Sequence, residues 1–211
     1  MGLSSRNFRL FIVMVVLFII INLLIVVAAS NSMVVNKQQK EHPPLLLNSG
    51  LTDVSEAEAQ VILWFDGQDS ASHSEFINNQ VLSQAGWEWE SHDSQKALTV
   101  SGYRRLKASD EAEILTWFEA VAQMVEQEGG KAYFDERIDA RVDGMVYLRQ
   151  NGFEPKQGVI TGTTASIAGW QEGFFPVVQA GRDSVNIQLL TRSASQGAKT
   201  VLAIPVLLEE F

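Results

Sequence analysis

The sequence predicts an α+β domain. Its expected core is a curved, mostly antiparallel sheet with helices on one face, built in two halves and preceded by one apolar N-terminal helix. Three observations carry this. Strand-like and helix-like apolar periodicities alternate along the chain. The order strand, helix, Gly-aromatic occurs twice, as "QAGWEW" and "QNGFEP". The last stretch, "VNIQLLTRSASQGAKTVLAIPVLLEEF", reads as two apolar strands around a small polar turn, a closing hairpin.

The apolar segment comes first. Leu10–Ala29 holds twenty residues with Asn22 alone polar, about 30 Å as a helix and matched to a bilayer core. Arg6 and Arg9 precede it without a nearby acid, which places the N-terminus in the cytoplasm. The run exceeds an ordinary signal-peptide core, so a retained anchor is expected; cleavage after Ser30 is the alternative. Either way the remainder leaves the cytoplasm. The expected organisation is an anchor or signal peptide over 1–30, a juxtamembrane spacer over 31–50, and an extracytoplasmic domain over 51–211. The spacer carries Pro43-Pro44 and polar runs, with His42 read as exposed and without a role. Its Leu45, Leu46 and Leu47 have docking on the domain as an alternative.

Residues 31–211 carry 14 Lys plus Arg against 25 Asp plus Glu, a net charge of −11. Such a surface is repelled by nucleic-acid phosphates and anionic lipid, so no nucleic-acid partner is expected. The chain has no cysteine, and packing alone must stabilise an exported domain.

Each element follows from its pattern. Gln60–Asp66 suits a buried strand, with a helix over Ser55–Leu63 as the alternative. Ser72–Gln84 is a helix stopped by Gly86, and two strands, "GWEWES" and "KALTVSGY", flank a turn at His92–Gln95. Asp110–Glu128 is the strongest helix: Ile114, Trp117, Phe118, Val121, Met124 and Val125 recur at helical spacing, Asp110 with Glu113 fits an N-terminal cap, and Gly129-Gly130 stops it. In "KAYFDERIDARVD", Phe134, Ile138, Ala140 and Val142 share one strand face. Asp135, Asp139 and Asp143 alternate with Arg137 and Arg141 on the other, suiting cross-strand pairing. A short helix over Gly144–Asn151 ends at Gly152. Strands follow at Gly158–Ala168, Val185–Thr191 and Thr200–Leu208.

The ingredients of catalysis are present, but each cluster has a plainer reading. Ser72, His73 and Glu75 lie too close in sequence for a triad and fit a capping box. Glu88, Glu90, His92 and Asp93 suit a metal by type, but with one imidazole they read as a solvated edge. No phosphate-cradling loop and no nucleophile elbow occurs. The sequence therefore predicts no catalytic, cofactor-binding or metal-binding residues and no cofactor. It leaves Trp170, Phe174 and Phe175, in "GWQEGFFPVV", as the candidate interaction surface, with core closure as the alternative.

Asn186, Gln188, Arg192-Ser193-Ala194, Gly197, Lys199, Pro205 and the terminal Glu210-Phe211 resemble the C-terminal hairpin of the YwmB family, exported proteins of Gram-positive, mostly spore-forming bacteria. The layout agrees over most of 55–211, and the specific match is the last 27 or so residues. Ala203 stands where the family usually has Gly, and the hairpin loop is one residue shorter. The resemblance implies a fold like the TATA-box-binding protein and no established activity or cofactor. A DNA-gripping saddle needs basic and wedge-forming residues on its concave face, which the charge of −11 opposes. The expected function is thus a non-enzymatic, membrane-anchored protein binding a protein or envelope component. The alternatives are an envelope hydrolase using His73 and Glu75 or the Glu88–Asp93 cluster, and a structural subunit or regulator of a larger membrane complex.

Overall fold

An eight-stranded antiparallel sheet organises the chain, in the order β2-β3-β1-β4-β10-β9-β6-β5. The computed structural model describes residues 42–66, 77, 86–94, 97–194 and 197–208. They belong to one unit, His42–Phe211. The strands are β1 (Glu56–Asp66), β2 (Glu88–Asp93), β3 (Ala97–Lys107), β4 (Lys131–Ile138), β5 (Glu154–Thr161), β6 (Thr164–Trp170), β9 (Ile187–Ala194) and β10 (Gly197–Ile204). A separate small hairpin joins β7 (Val178–Ala180) to β8 (Asp183–Val185). Two helices lie wholly among the described residues, α1 (Glu111–Gln127) and α2 (Gly144–Gln150).

β1 and β4 pair side by side near the middle of the sheet, with Val61 opposite Phe134. Each begins a half. β1 leads to β2, β3 and α1; β4 leads to α2 and then to β5, β6, β9 and β10. Directly opposed residues share a sheet face, so the register separates the two surfaces. Val61, Phe134, Ile204, Leu202, Leu189 and Ile187 lie on one face and are buried. Both described helices pack there. Phe118 of α1 meets Phe134 at 5.5 Å, and Leu148 of α2 lies so close to Gly169 that a Cβ there would stand 3.1 Å from its methyls. The other face is polar across its centre. Gln60 donates to the Tyr103 hydroxyl, and Arg137 bonds both Gln60 and Asp135.

Several boundaries shift from expectation. β1 begins at Glu56, four residues early, which removes the helical alternative. The helix expected over 72–84 lies outside the described residues except Ile77, which is helical and buried. β2 continues through His92 and Asp93, so these are strand rather than turn residues. The Asp110 side chain makes no cap bond to α1. It instead accepts from Lys107 N–H and the Ser109 hydroxyl, which hold its carboxyl below the usual range. At the other end Gly129, with φ of 77°, takes the left-handed conformation that terminates α1. β4 stops at Ile138, so the expected alternation beyond it breaks up. Asp139 approaches Lys199 at 3.4 Å, and Asp143 caps α2 by accepting from Met145 and Val146 N–H. The single strand expected over 158–168 is a hairpin turning at Gly162-Thr163. β10 ends before Pro205, which has no N–H to give the ladder.

The largest correction concerns the spacer. Leu45, Leu46 and Leu47 are buried in the common core. The folded unit starts at His42, so the expected boundary at 50/51 falls inside it and the docking alternative holds.

Candidate functional site

The electrostatically unusual place in the described structure is where residues 43–49 cross the helix-bearing side. Burying the three leucines takes the N–H groups of Leu46, Leu47 and Asn48 away from bulk water, and those donors need acceptors. Two acids supply them. Glu136 Oε2 accepts from Leu46 N–H at 2.6 Å, and the Glu111 carboxylate accepts from Leu47 and Asn48 N–H at 2.6 and 3.1 Å. Tyr147 of α2 donates its hydroxyl to Pro44 O at 2.5 Å, and Gln150 donates to Ser49 O. This segment is a strap bound by α1, β4 and α2 together.

Both acids are nearly inaccessible, Glu136 at 0% and Glu111 at 2% exposure. Burial, and then the charge and proximity of Glu111, push the Glu136 carboxyl well above the usual range. Two carboxylates in contact cannot both be ionised cheaply in such surroundings. Glu136 Oε1 meets no donor; as an O–H it becomes the donor to Glu111. One proton shared by the pair therefore satisfies the site. Burial, and then the same two acids, raise the Tyr147 hydroxyl as well.

Sequence reading missed this pair. Glu136 sits at the alternating position between Phe134 and Ile138, an acid on an otherwise apolar strand face, and that was the available signal. Glu111 was indistinguishable from any acidic residue in the first turn of a helix. His42 also departs from expectation. It is half-buried, with Nδ1 3.3 Å from Glu119 Oε1 on α1.

The expected interaction surface is largely interior. Phe174 is 1% exposed and stacks edge-on against Phe153 at 5.4 Å. Phe175 is half-buried against the core, and Trp170 is half-buried with Lys156 over its ring at 5.6 Å. The turn carrying the phenylalanines is fixed by Asn186, which is fully buried. Its amide donates to Gln171 O and Phe174 O while its oxygen accepts from Gln171 N–H.

Of the residues weighed for catalysis, His73 and Glu75 lie outside the described residues. Glu88, Glu90 and His92 project from one face of β2, Asp93 from the other, and all four are exposed on an edge strand. Their neighbours Trp87 and Trp89 point inward and cluster with Trp117 at 5.3–6.3 Å. Among the described residues no group of acids, histidines or cysteines is arranged to hold a metal.

Exposed apolar surface lies elsewhere. At the opposite edge of the sheet, Val159 and Ile160 of β5 are 60% and 80% exposed, and Val146 of α2 is 45% exposed. An open groove of about 790 Å³ runs beneath the β5–β6 tip, against Met145, Ile167 and Leu189. Residues 157–166 carry no charge. The fold and these surfaces define a mostly antiparallel α+β domain. Comparison with known proteins returns no matching family model and no matching curated protein.

Proposed function

We propose that this chain is an extracytoplasmic, non-enzymatic protein, held at the membrane by Leu10–Ala29, that binds a protein or envelope component. Resemblance to the YwmB family, and with it a TATA-box-binding-protein-like architecture in two halves, belongs to the same reading. It is supported by the pairing of β1 with β4 at the junction of the halves. The anchor segment lies outside the described residues, and no described helix is long and apolar enough to cross a membrane. The observation that carries binding is the uncharged β5–β6 tip with Val159 and Ile160 exposed, on a chain that is otherwise strongly acidic. Exposed apolar surface of this kind marks contact sites, and β5 is an outermost strand able to accept another strand.

The contact surface moves accordingly from Trp170, Phe174 and Phe175 to Val159 and Ile160. A photoreactive residue at position 160 of the full chain, expressed in its own cells, is expected to capture a partner. The same residue at position 90, on the other edge, is expected not to, and Ile160→Lys should abolish capture by a probe at 159. Equal capture from positions 160 and 90 would refute the assignment. Carbonate-resistant sedimentation of the full chain with membranes, lost when residues 1–30 are deleted, tests the anchor separately.

A further inference from the structure

The strap is built differently from the rest of the core. Ordering residues 43–49 sacrifices backbone entropy that offsets much of what burial of three leucines contributes. The N–H groups of Leu46, Leu47 and Asn48 meet two acids rather than backbone carbonyls. A buried acid pair is a costly way to fix a chain segment, and apolar or amide side chains would hold it without a titrating group. The geometry thus makes the strap's attachment depend on one proton.

We propose that residues 43–49 form a proton-gated latch: the Glu111–Glu136 pair holds the strap while it shares a proton, and release of that proton frees the strap with the sheet intact. The groups facing the site are Glu111 from α1, Glu136 from β4 and Tyr147 from α2, while His42, just before the strap, meets Glu119 of α1. The charge acting on Glu136 is that of another acid, and burial together with that charge outweighs the strap N–H groups that favour its ionised form. Opening exposes Glu136 to water, where it ionises in the ordinary carboxylate range. Between that range and its raised value in the closed state, opening releases one proton. The opening constant therefore rises about tenfold per pH unit, and the strap is held at low pH and freed as pH rises. Freed, residues 43–49 can extend to about 25 Å. This device stands whether or not the β5–β6 tip binds a partner.

Amide hydrogen exchange on the full chain in detergent micelles tests it, read at Leu46, Leu47 and Asn48 and corrected for intrinsic exchange. Protection of these amides is expected to fall about tenfold per pH unit as pH rises above the ordinary carboxylate range, while Val61 and Leu63 hold theirs. Glu136→Gln keeps an acceptor for Leu46 and a donor for Glu111, so it should abolish the slope and stay closed. His42→Gln should retain the slope. A flat wild-type profile, strap and core amides opening together, or a slope that survives Glu136→Gln but vanishes in His42→Gln would each overturn the latch.

Discussion

Phe174→Asp tests how far a side chain's type predicts its place. The sequence offers Phe174 as a contact residue, whereas its 1% exposure and its packing on Phe153 make it a core residue. Aspartate there leaves a cavity and an unpaired buried carboxylate, a loss of at least about 3 kcal/mol. Thermal unfolding should show no native transition near physiological temperature. Ile160→Lys, on exposed surface, should stay within about 0.5 kcal/mol of wild type. Gly102 poses the converse case. A Cβ there would lie 2.5 Å from the Trp89 ring, so Gly102→Ala must displace a ring of the three-tryptophan cluster. Overpacking of this kind costs about 1–3 kcal/mol, and the near-ultraviolet dichroism of the cluster should change with it. Nothing in the sequence shows that Gly102 faces Trp89, because cross-strand register is set by the whole hairpin.

Elements were more legible than individual contacts. α1 follows from its apolar spacing, and Ile114, Phe118, Val121 and Val125 are buried as that spacing requires. Its start at Asp110 follows as well, although the Asp110 side chain bonds backward to Lys107 rather than to the first N–H groups of the helix. α2 shows the opposite outcome. Asp143 was read as one charge in an alternating strand, yet it caps the helix. Asp143→Ala should therefore cost about 1 kcal/mol, measurable as a lower denaturation midpoint with an unchanged slope. β10 was legible as part of a closing hairpin but not as the bridge it forms. It joins β4 to β9, and its Thr200 accepts from Val142 N–H and donates to Ala140 O, fastening the β4–α2 turn. Truncation before Thr200 should abolish the cooperative transition. A soluble truncated product with native dichroism would contradict that role.

At the scale of the molecule, the repeated order of elements made two halves visible, but not what joins them. Part of the junction is the β1–β4 pairing, which long-range register decides. The rest is the strap, read as a spacer because prolines and polar residues surround its leucines. It binds Glu111 in the first half, and Glu136, Tyr147 and Gln150 in the second. One hydrophobic cluster consequently runs from Leu45 through both halves to Ile204, and the domain should unfold as a single cooperative unit. Tryptophan fluorescence can test this, since Trp87, Trp89 and Trp117 report the first half. In a Trp170→Phe background, their transition should coincide with that of far-ultraviolet dichroism, which reports the whole sheet. Deleting residues 42–50 removes three buried leucines worth about 1.5–3 kcal/mol each before the entropy of ordering is offset. It also removes the clamp across the halves. The expected result is a lower midpoint and a first-half transition that separates from the dichroism curve. If the two curves remain superimposed after the deletion, the sheet alone couples the halves and the strap contributes stability without cooperativity.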